Sequence, residues 1–368
     1  MIFNKENTEW KDGKSSLILG QKPALFDSIN RKHPELFKLY KKQKSIDWSE
    51  DEASLAQTRE DFRTCPKEVY ELMIKNLAFQ WELDSVASRS ISVLLAPFIT
   101  DSDFWLTVTK NSELENTHWL TYSEIVRLCI PDPQDVFKQV MENEQVLSRA
   151  EVVEAVLLDL QKAGAEYTLG MVENDQELYN RAFLGISAIY MLERMLFMDS
   201  FSNTFGIVEL GWFQGAGALV QKVMNDECYI HCKTWEYVLK HEMSTRRGAT
   251  AFAMCRDKIE TMLREILAKE YSWNAYVFSG NKRVVGYNEL LANEGANWNA
   301  QEVYALFGIV PEFDMLVQNP LPFMEKWLNI DSIQNAQQEG DGTNYLLNSF
   351  INDIPDDTLF EFELPGTL

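Results

Sequence analysis

Residues that interrupt regular structure are scarce in this chain. Its 368 residues include 17 glycines and 11 prolines, well below the share that average composition would give. Both residues break helices, so their scarcity favours long helices. Runs of alternating β-branched and polar residues are also few, which argues against extensive sheet. We therefore expect an all-α protein.

Basic charge is in deficit as well. The chain has 34 Lys and Arg against 56 Asp and Glu, a net charge of −22, which excludes nucleic acid as the main partner because phosphate binding needs basic patches. No apolar run approaches the roughly 18 residues that would span a membrane, and no signal pattern is visible. Five cysteines are an odd number in a long chain, which argues against a disulfide framework. We expect a cytoplasmic protein.

Apolar and helix-forming segments are abundant. Hydrophobic residues make up 46% of the chain and aromatic residues 12%, which is ample for a packed core. Up to residue 328 we expect one folded domain that includes a polar N-terminal extension, residues 1–65. Helical periodicity predicts long helices over 68–90, 101–128, 136–173 (one or two), 176–205 and 218–243, and shorter ones over 34–42, 251–271, 287–293 and 301–307.

The last part of the sequence differs in composition. Residues 327–368 contain eight acidic side chains and no lysine or arginine. Asn, Gln and Gly are dense between 329 and 344, which is typical of a flexible linker, and apolar residues return after it. Residues 329–368 therefore form an acidic tail that either orders on binding a partner or stays a solvated terminus. Composition leaves both open.

A doubled pattern of carboxylates and histidines carries the chemistry. Two of only four histidines follow a glutamate at helical spacing, as Glu115 with His118 and as Glu227 with His231. The helix before each pair carries an acidic residue in an apolar segment, Asp84 for the first and Glu193 for the second. Side chains three or four residues apart share one face of a helix. Tyr122 continues the stripe of the first pair.

A metal centre explains this pattern. Carboxylates and imidazoles that project inward from four helices can hold two metal ions in a bundle core. Without a cation, buried carboxylates would repel one another and lose hydration. Hard carboxylates combined with imidazole suit iron or manganese. A single Glu/His pair is usually a solvated helix face, but two such pairs, each with its own preceding carboxylate, indicate a site.

Two other local patterns are weaker. Cys228, His231 and Cys232 have thiolate-site chemistry, but no second cysteine pair completes a zinc site. The glycine-rich stretch 206–217 is not a phosphate loop, because no Gly-Lys-Ser/Thr follows. We expect its four glycines to lie between two helices.

Together these segments resemble the small, radical-generating subunit of class I ribonucleotide reductase over nearly the whole chain. The segments that carry the resemblance are Leu19-Gly20-Gln21, Trp48, Leu83-Asp84-Ser85, the run from Glu115 to Tyr122, Leu192-Glu193 with Phe197 and Phe201, Asp226-Glu227, Asn319 to Pro322 with Trp327, and Tyr345-Leu346. Each motif is weak alone, but their order and spacing are specific. The resemblance implies a ferritin-like helical bundle.

The resemblance also implies residue roles. A dinuclear centre of two iron or manganese ions per chain would be held by Asp84, Glu115, His118, Glu193, Glu227 and His231. It would activate oxygen and oxidise Tyr122 to a stable radical inside an apolar pocket that includes Phe197 and Phe201. Asp226 would link a ligand histidine to Trp48, and Trp48 and Tyr345 would relay the radical to the large subunit. The tail would dock that subunit, and the chain would be a homodimer that serves deoxyribonucleotide synthesis for DNA replication.

Two positions depart from the family pattern. The family spaces the last glutamate and histidine by three residues, whereas Glu227 and His231 are four apart. A spacing of four still keeps both on one face, and a local π-bulge would absorb the extra residue. Asn225 stands where the family commonly has arginine, which would alter the packing around Asp226.

Two other functions use the same ligands. Another ferritin-like di-metal oxidase or oxygenase would act on a bound organic substrate, without a radical tyrosine or a docking tail. A metal-storage or purely structural helical protein would need no buried tyrosine beside the site. Tyr122 and the tail therefore discriminate among the three.

Overall fold

The computed structural model describes residues 3–9, 16–280 and 284–329. Within them every regular element is helical, apart from two isolated bridges that pair Ile18 with Ile99 and Val284 with Tyr287. The predicted all-α class is confirmed. In these same residues no helix is both long and apolar enough to cross a membrane. The predicted tail and the domain boundary at residue 328 stay predictions, because residues from 330 onward lie outside the described part.

The described residues form thirteen α-helices and two π-helical segments, which are joined by loops and turns. The bounds are α1 Pro34–Ser45, α2 Ala56–Thr64, α3 Lys67–Leu95, α4 Ser102–Cys129, α5 Pro133–Glu142, α6 Glu144–Thr168, α7 Gln176–Met191, π1 Leu192–Phe197, α8 Met198–Val208, α9 Gln214–Asp226, π2 Glu227–His231, α10 Cys232–Ser244, α11 Arg246–Val277, α12 Glu289–Leu306 and α13 Pro322–Leu328.

Helices α3 and α4 pack against each other along their length. Pro66 precedes the first residue of α3, where a missing N–H costs nothing. The carboxylate of Asp101 accepts hydrogen bonds from the backbone N–H groups of Asp103 and Phe104 and so caps α4. Both start signals were readable in the sequence; α3 extends beyond its predicted range at both ends, whereas α4 is shifted by one residue.

Two further long helices each contain a π-helical segment. The run α7–π1–α8 is continuous from Gln176 to Val208, and α9–π2–α10 is continuous from Gln214 to Ser244. The two π segments contact each other. These two runs and the α3–α4 pair carry the predicted ligands, and one large cluster of buried apolar residues surrounds them.

Several sequence-based boundaries were wrong. Gly206 lies inside α8, where a Cβ atom would come within 2.7 Å of the Tyr287 ring, so close packing selects glycine there. Gly215 and Gly217 lie inside α9, and only Gly211, with φ of +90°, lies in the turn. The segments 287–293 and 301–307 are not separate, since α12 runs unbroken through Glu289–Leu306.

Candidate metal centre

Six predicted ligand side chains meet in the core and are fully buried. Their ligand atoms form two groups, and within each group all atoms lie within 4.8 Å of one another. Glu115 and Glu227 belong to both groups, so each would contribute an oxygen to either group of ligands. The first group is Asp84, Glu115, His118 and Glu227, and the second is Glu115, Glu193, Glu227 and His231.

Each histidine contacts both shared carboxylates. His118 Nδ1 lies 2.9 Å from Glu227 Oε1 and 3.4 Å from Glu115 Oε2. His231 Nδ1 lies 2.9 Å from Glu227 Oε2 and 3.1 Å from Glu115 Oε1. The two imidazole rings are 5.8 Å apart. The Nδ1 atoms of both rings therefore point into the same small carboxylate cluster.

The cluster carries more negative charge than its histidines can balance. Burial, followed by the charge of Glu115, raises the pKa of Asp84 well above its usual value. Burial and the charge of Glu227 do the same to the pKa of Glu193. Burial opposes the imidazolium of His231, but the carboxylates, Glu227 foremost, raise its pKa to about 10. The site favours bound positive charge, whether supplied by protons or by metal ions.

Buried polar atoms that make no hydrogen bond show that the residues fit a metal pair. Among the described residues, Glu115 and Glu227 form ion pairs only with histidines. Buried polar atoms without partners are rare in native proteins unless an ion or water satisfies them. A hard oxygen-rich set with imidazole suits iron or manganese. The atoms that make no hydrogen bond are both oxygens of Asp84, Glu115 and Glu193, Oε1 of Glu227, Nδ1 of His118 and Nε2 of His231.

The π-helical turn at Glu227–His231 accommodates the unusual spacing of four. Hydrogen bonds in a π-helix run from residue i to i+5, so the turn is wider than an α-turn. Here it brings both Glu227 and His231 into the cluster, which confirms the π-bulge predicted from the sequence. The π segment around Glu193 was not predicted, because uninterrupted helical periodicity gives no sign of it.

A hydrogen-bonded chain leads from the cluster to Trp48. The Trp48 Nε1–H donates to Asp226 Oδ2 over 2.7 Å, and the same oxygen lies 3.2 Å from His118 Nε2. The Trp48 and His118 rings are nearly parallel, with centroids 6.1 Å apart. A proton on Nε2 facing Asp226 leaves Nδ1 free to bind a metal, as in carboxylate–histidine–metal triads. The structure thus brings together the three residues that the sequence linked.

Tyr122 lies one turn beyond His118 on α4 and is fully buried. Its hydroxyl has no hydrogen-bond partner. Burial, followed by the charge of Asp84, raises its pKa well above the usual value. Phe197 and Phe201 are also fully buried, and their rings stack with centroids 6.0 Å apart. Tyr345 lies outside the described residues.

The rival thiolate site is not supported. Among the described residues, the groups able to hold a metal contain no cysteine. Burial raises the pKa of Cys228 and Cys232, which disfavours the thiolates that bind metal. His231 faces the carboxylates instead.

The sequence did not single out the polar groups around Trp48 and the cluster. The Lys222 ammonium lies 5.9 Å from the centre of the Trp48 ring and is held by Glu52. Buried Asn76 and Gln80 lie on α3 before Asp84. The sequence pattern that could have indicated Asn76 and Gln80 is two amide side chains four residues apart in an otherwise apolar helix.

Comparisons with known proteins agree with this geometry. The family profile described as "Ribonucleotide reductase, small chain" matches residues 25–320. Ribonucleoside-diphosphate reductase 1 subunit beta of Salmonella typhimurium is 25% identical over 95% of this chain and 96% of its own length. The subunit beta of Enterobacteria phage T4 is 25% identical over 90% of this chain and 92% of its own length.

Solved structures share the fold. The ribonucleotide reductase R2 subunit from Clostridium botulinum has a TM-score of 0.74 at 19% identity, covering 90% of this chain and 98% of that one. The dimanganese(II)-NrdF of Streptococcus sanguinis has a TM-score of 0.67 at 14% identity, covering 83% and 100%. Fold, buried carboxylate–histidine site and family profile lead to one conclusion. The chain belongs to the small-chain family of ribonucleotide reductase, an oxidoreductase, and carries a di-metal carboxylate site.

Proposed function

We propose that Asp84, Glu115, His118, Glu193, Glu227 and His231 hold two iron ions per chain. The observation that carries this proposal is a fully buried set of carboxylates and imidazoles in which nine ligand-type atoms make no hydrogen bond. Manganese fits the same donors, and a structural relative is named for its dimanganese(II) form. Family membership favours the radical-generating role over the oxygenase and storage alternatives.

Tyr122 is the residue that this centre would oxidise. The bound metal pair would supply the oxidising power through oxygen activation. Tyr122 would lose one electron to the centre together with its hydroxyl proton, and Asp84, the carboxylate whose charge acts most strongly on the Tyr122 hydroxyl, would accept the proton. Complete burial of Tyr122 within an apolar core that includes Phe197 and Phe201 keeps water and reductants from the radical.

Trp48 is the proposed exit from the buried site. Its indole N–H already donates to Asp226, which also contacts His118, so a positive charge on the indole can be stabilised by a carboxylate. From Trp48 the oxidising equivalent would pass through Tyr345 to the large subunit, which the acidic tail 329–368 would dock. The large subunit would reduce ribonucleotides, and this chain would supply only the oxidant as a homodimer.

Electron paramagnetic resonance tests the radical assignment directly. Metal-free protein is supplied with ferrous iron and oxygen, and the tyrosyl signal is recorded for wild type and for Tyr122→Phe. We expect a signal in the wild type and none in the variant. No signal in the wild type, or an unchanged signal in Y122F, would contradict the role of Tyr122.

Metal analysis tests the ligand with the unusual spacing. His231→Ala should lose roughly half of the bound metal or more, since the second group of donors loses its only imidazole. His241→Ala is the matched control, because His241 packs on His33 and Tyr237 instead and should leave metal content unchanged. Full metal retention in H231A would mean that another residue is the ligand.

Truncation tests the docking role of the tail. Removal of residues 340–368 should abolish reductase activity with the large subunit while the tyrosyl signal remains. Reductase activity that survives this truncation would rule the docking role out. Sedimentation of the full chain tests the homodimer, and a single monomeric species would contradict it.

A further inference from the structure

A buried polar stripe runs along α3 toward the metal centre. Asn76 and Gln80 are fully buried and precede Asp84 at intervals of four residues, so all three share one face of the helix. Opposite them on α8 lie Ser200 and Thr204, which are also fully buried. Burying four polar side chains is unfavourable unless they bond to one another.

These four side chains form a ladder of hydrogen bonds between α3 and α8. The Asn76 amide donates to the carbonyl oxygen of Ser200 over 2.9 Å and to Thr204 Oγ1 over 2.7 Å. The Gln80 amide donates to Ser200 Oγ over 3.3 Å. Thr204 Oγ1 donates to Gln80 Oε1 over 3.4 Å. Each of these hydrogen bonds, here called a rung of the ladder, joins the helix that carries Asp84 to the helix run that carries Glu193.

The ladder adjoins the irregular part of the ligand helix. Segment π1 spans Leu192–Phe197 and contains Glu193, and Ser200 follows it on α8. The Ser200 hydroxyl donates to the carbonyl oxygen of Phe197 over 2.7 Å, and so bonds the last residue of the widened turn. The ladder therefore fixes α3 against α8 directly after π1, the segment that carries Glu193.

Hydrogen bonds of this kind select one register. Apolar side chains tolerate small sliding of two packed helices, but a displaced ladder would leave buried donors and acceptors unpaired, at a cost of about 1–3 kcal/mol each. A single buried asparagine can fix the register of a coiled coil in the same way. Here the register determines how far apart the carboxylates of Asp84 and Glu193 lie.

We propose that Asn76, Gln80 and Thr204 are positioning residues for the metal centre, which set the separation of Asp84 and Glu193 by fixing α3 against α8. The inference rests on the proposed di-metal function. None of the three side chains belongs to the groups that could bind the metal. Their effect on metal binding therefore passes through the two helices.

Titration of the metal-free full-length chain with Mn²⁺ tests this role. Asn76→Leu and Thr204→Val remove rungs at nearly constant side-chain shape, and Thr204→Ser restores the hydroxyl. The control is the double variant Asn274→Leu/Asn293→Leu, which removes a bond between α11 and α12 without touching a ligand helix. For each protein we would record Mn²⁺ affinity, the resonance spectrum of the Mn²⁺ pair and the melting temperature.

We expect N76L and T204V to bind Mn²⁺ about tenfold more weakly or worse, as when outer partners of metal ligands are lost. The spectrum of the coupled Mn²⁺ pair should change, and T204S should restore it. The control should melt earlier yet bind Mn²⁺ normally. Wild-type affinity and spectrum in both N76L and T204V would overturn the positioning role. A wild-type chain that binds no metal would instead overturn the proposed centre, and the inference with it.

Discussion

Two clusters of buried ionisable residues lie in the same helical bundle. One contains an arginine that balances its carboxylate, whereas the other requires a bound cation. The metal-centre cluster consists of the six candidate ligands. The second, here called the Arg149 cluster, consists of Arg149, Glu270, Asp199 and Asn299. All of its members are buried, and Asp199 lies on α8, the continuation of the π1 segment that carries Glu193.

The Arg149 cluster is neutralised from within. Arg149 Nε donates to Glu270 Oε1 over 2.6 Å, and Nη2 donates to the other oxygen of the same carboxylate. The guanidinium carbon also lies 3.7 Å from the centre of the Phe79 ring. In such a bidentate pair, two parallel hydrogen bonds join the guanidinium to both carboxylate oxygens. Arg149 therefore supplies, as a side chain, the positive charge that the metal-centre cluster lacks.

The surroundings of Asp199 disfavour its charged form. Burial, followed by the charge of Glu270, raises the pKa of Asp199 well above its usual value. Asn299 Nδ2 donates to Asp199 Oδ1 over 2.9 Å. Only two atoms of this cluster, Arg149 Nη1 and Asp199 Oδ2, lack a partner. The contrast teaches that burial of charge alone does not mark a metal site, whereas converging buried ligand atoms that make no hydrogen bond indicate one.

The largest expected effect comes from metal addition. Ligands that bind only the folded state stabilise it by mass action, about 4 kcal/mol per site at a thousandfold excess over Kd. Two Mn²⁺ ions should therefore raise stability by about 8 kcal/mol, seen as a higher melting temperature. The variant Glu115→Ala/Glu227→Ala should lose this shift. An identical shift in that variant would place the binding site elsewhere.

Removal of arginine from the second cluster should have the next largest effect. Arg149→Met leaves the Glu270 carboxylate buried without its cation, which costs about 3–5 kcal/mol. Urea denaturation should show this loss, whereas the Mn²⁺ content at saturation should equal that of wild type. A change in the number of bound ions would show that the two clusters are not separate.

The smallest expected effect is the pH dependence of stability that arises from one buried carboxylate, Glu242, whose partner is uncharged. Glu242 accepts a hydrogen bond from the Tyr179 hydroxyl, and burial raises its pKa from 4.5 to about 7. The folded state thus binds more protons than the unfolded state between these pH values, so stability falls as pH rises through them. The loss amounts to about 3 kcal/mol, and Glu242→Gln should remove it. We would measure urea midpoints of both proteins from pH 4 to 8, and parallel curves would refute the assignment.

The sequence predicted those features that depend on short-range patterns. Glu115 with His118 at helical spacing, and the Asp101 cap before α4, are local and were readable. The π2 turn was readable too, because His231 stands one residue further from Glu227 than the family pattern requires. The long helices follow from the same apolar periodicity that places the ligands on inward faces.

Features that depend on packing between distant segments were not predictable. The glycine at 206 is selected by the ring of Tyr287, which is remote in sequence. The pairing of Arg149 with Glu270 and of Asn76 with Thr204 joins helices that are far apart in the chain. The π1 turn leaves the apolar pattern of its helix intact, so only the tertiary structure shows it.

Anomalous X-ray diffraction from crystals of the full-length chain soaked in Mn²⁺ tests the central claim most directly. The account predicts two manganese peaks per chain, both within the cluster of Asp84, Glu115, His118, Glu193, Glu227 and His231, and none at the Arg149 cluster. A single peak, no peak in the cluster, or a peak beside Arg149 would contradict it.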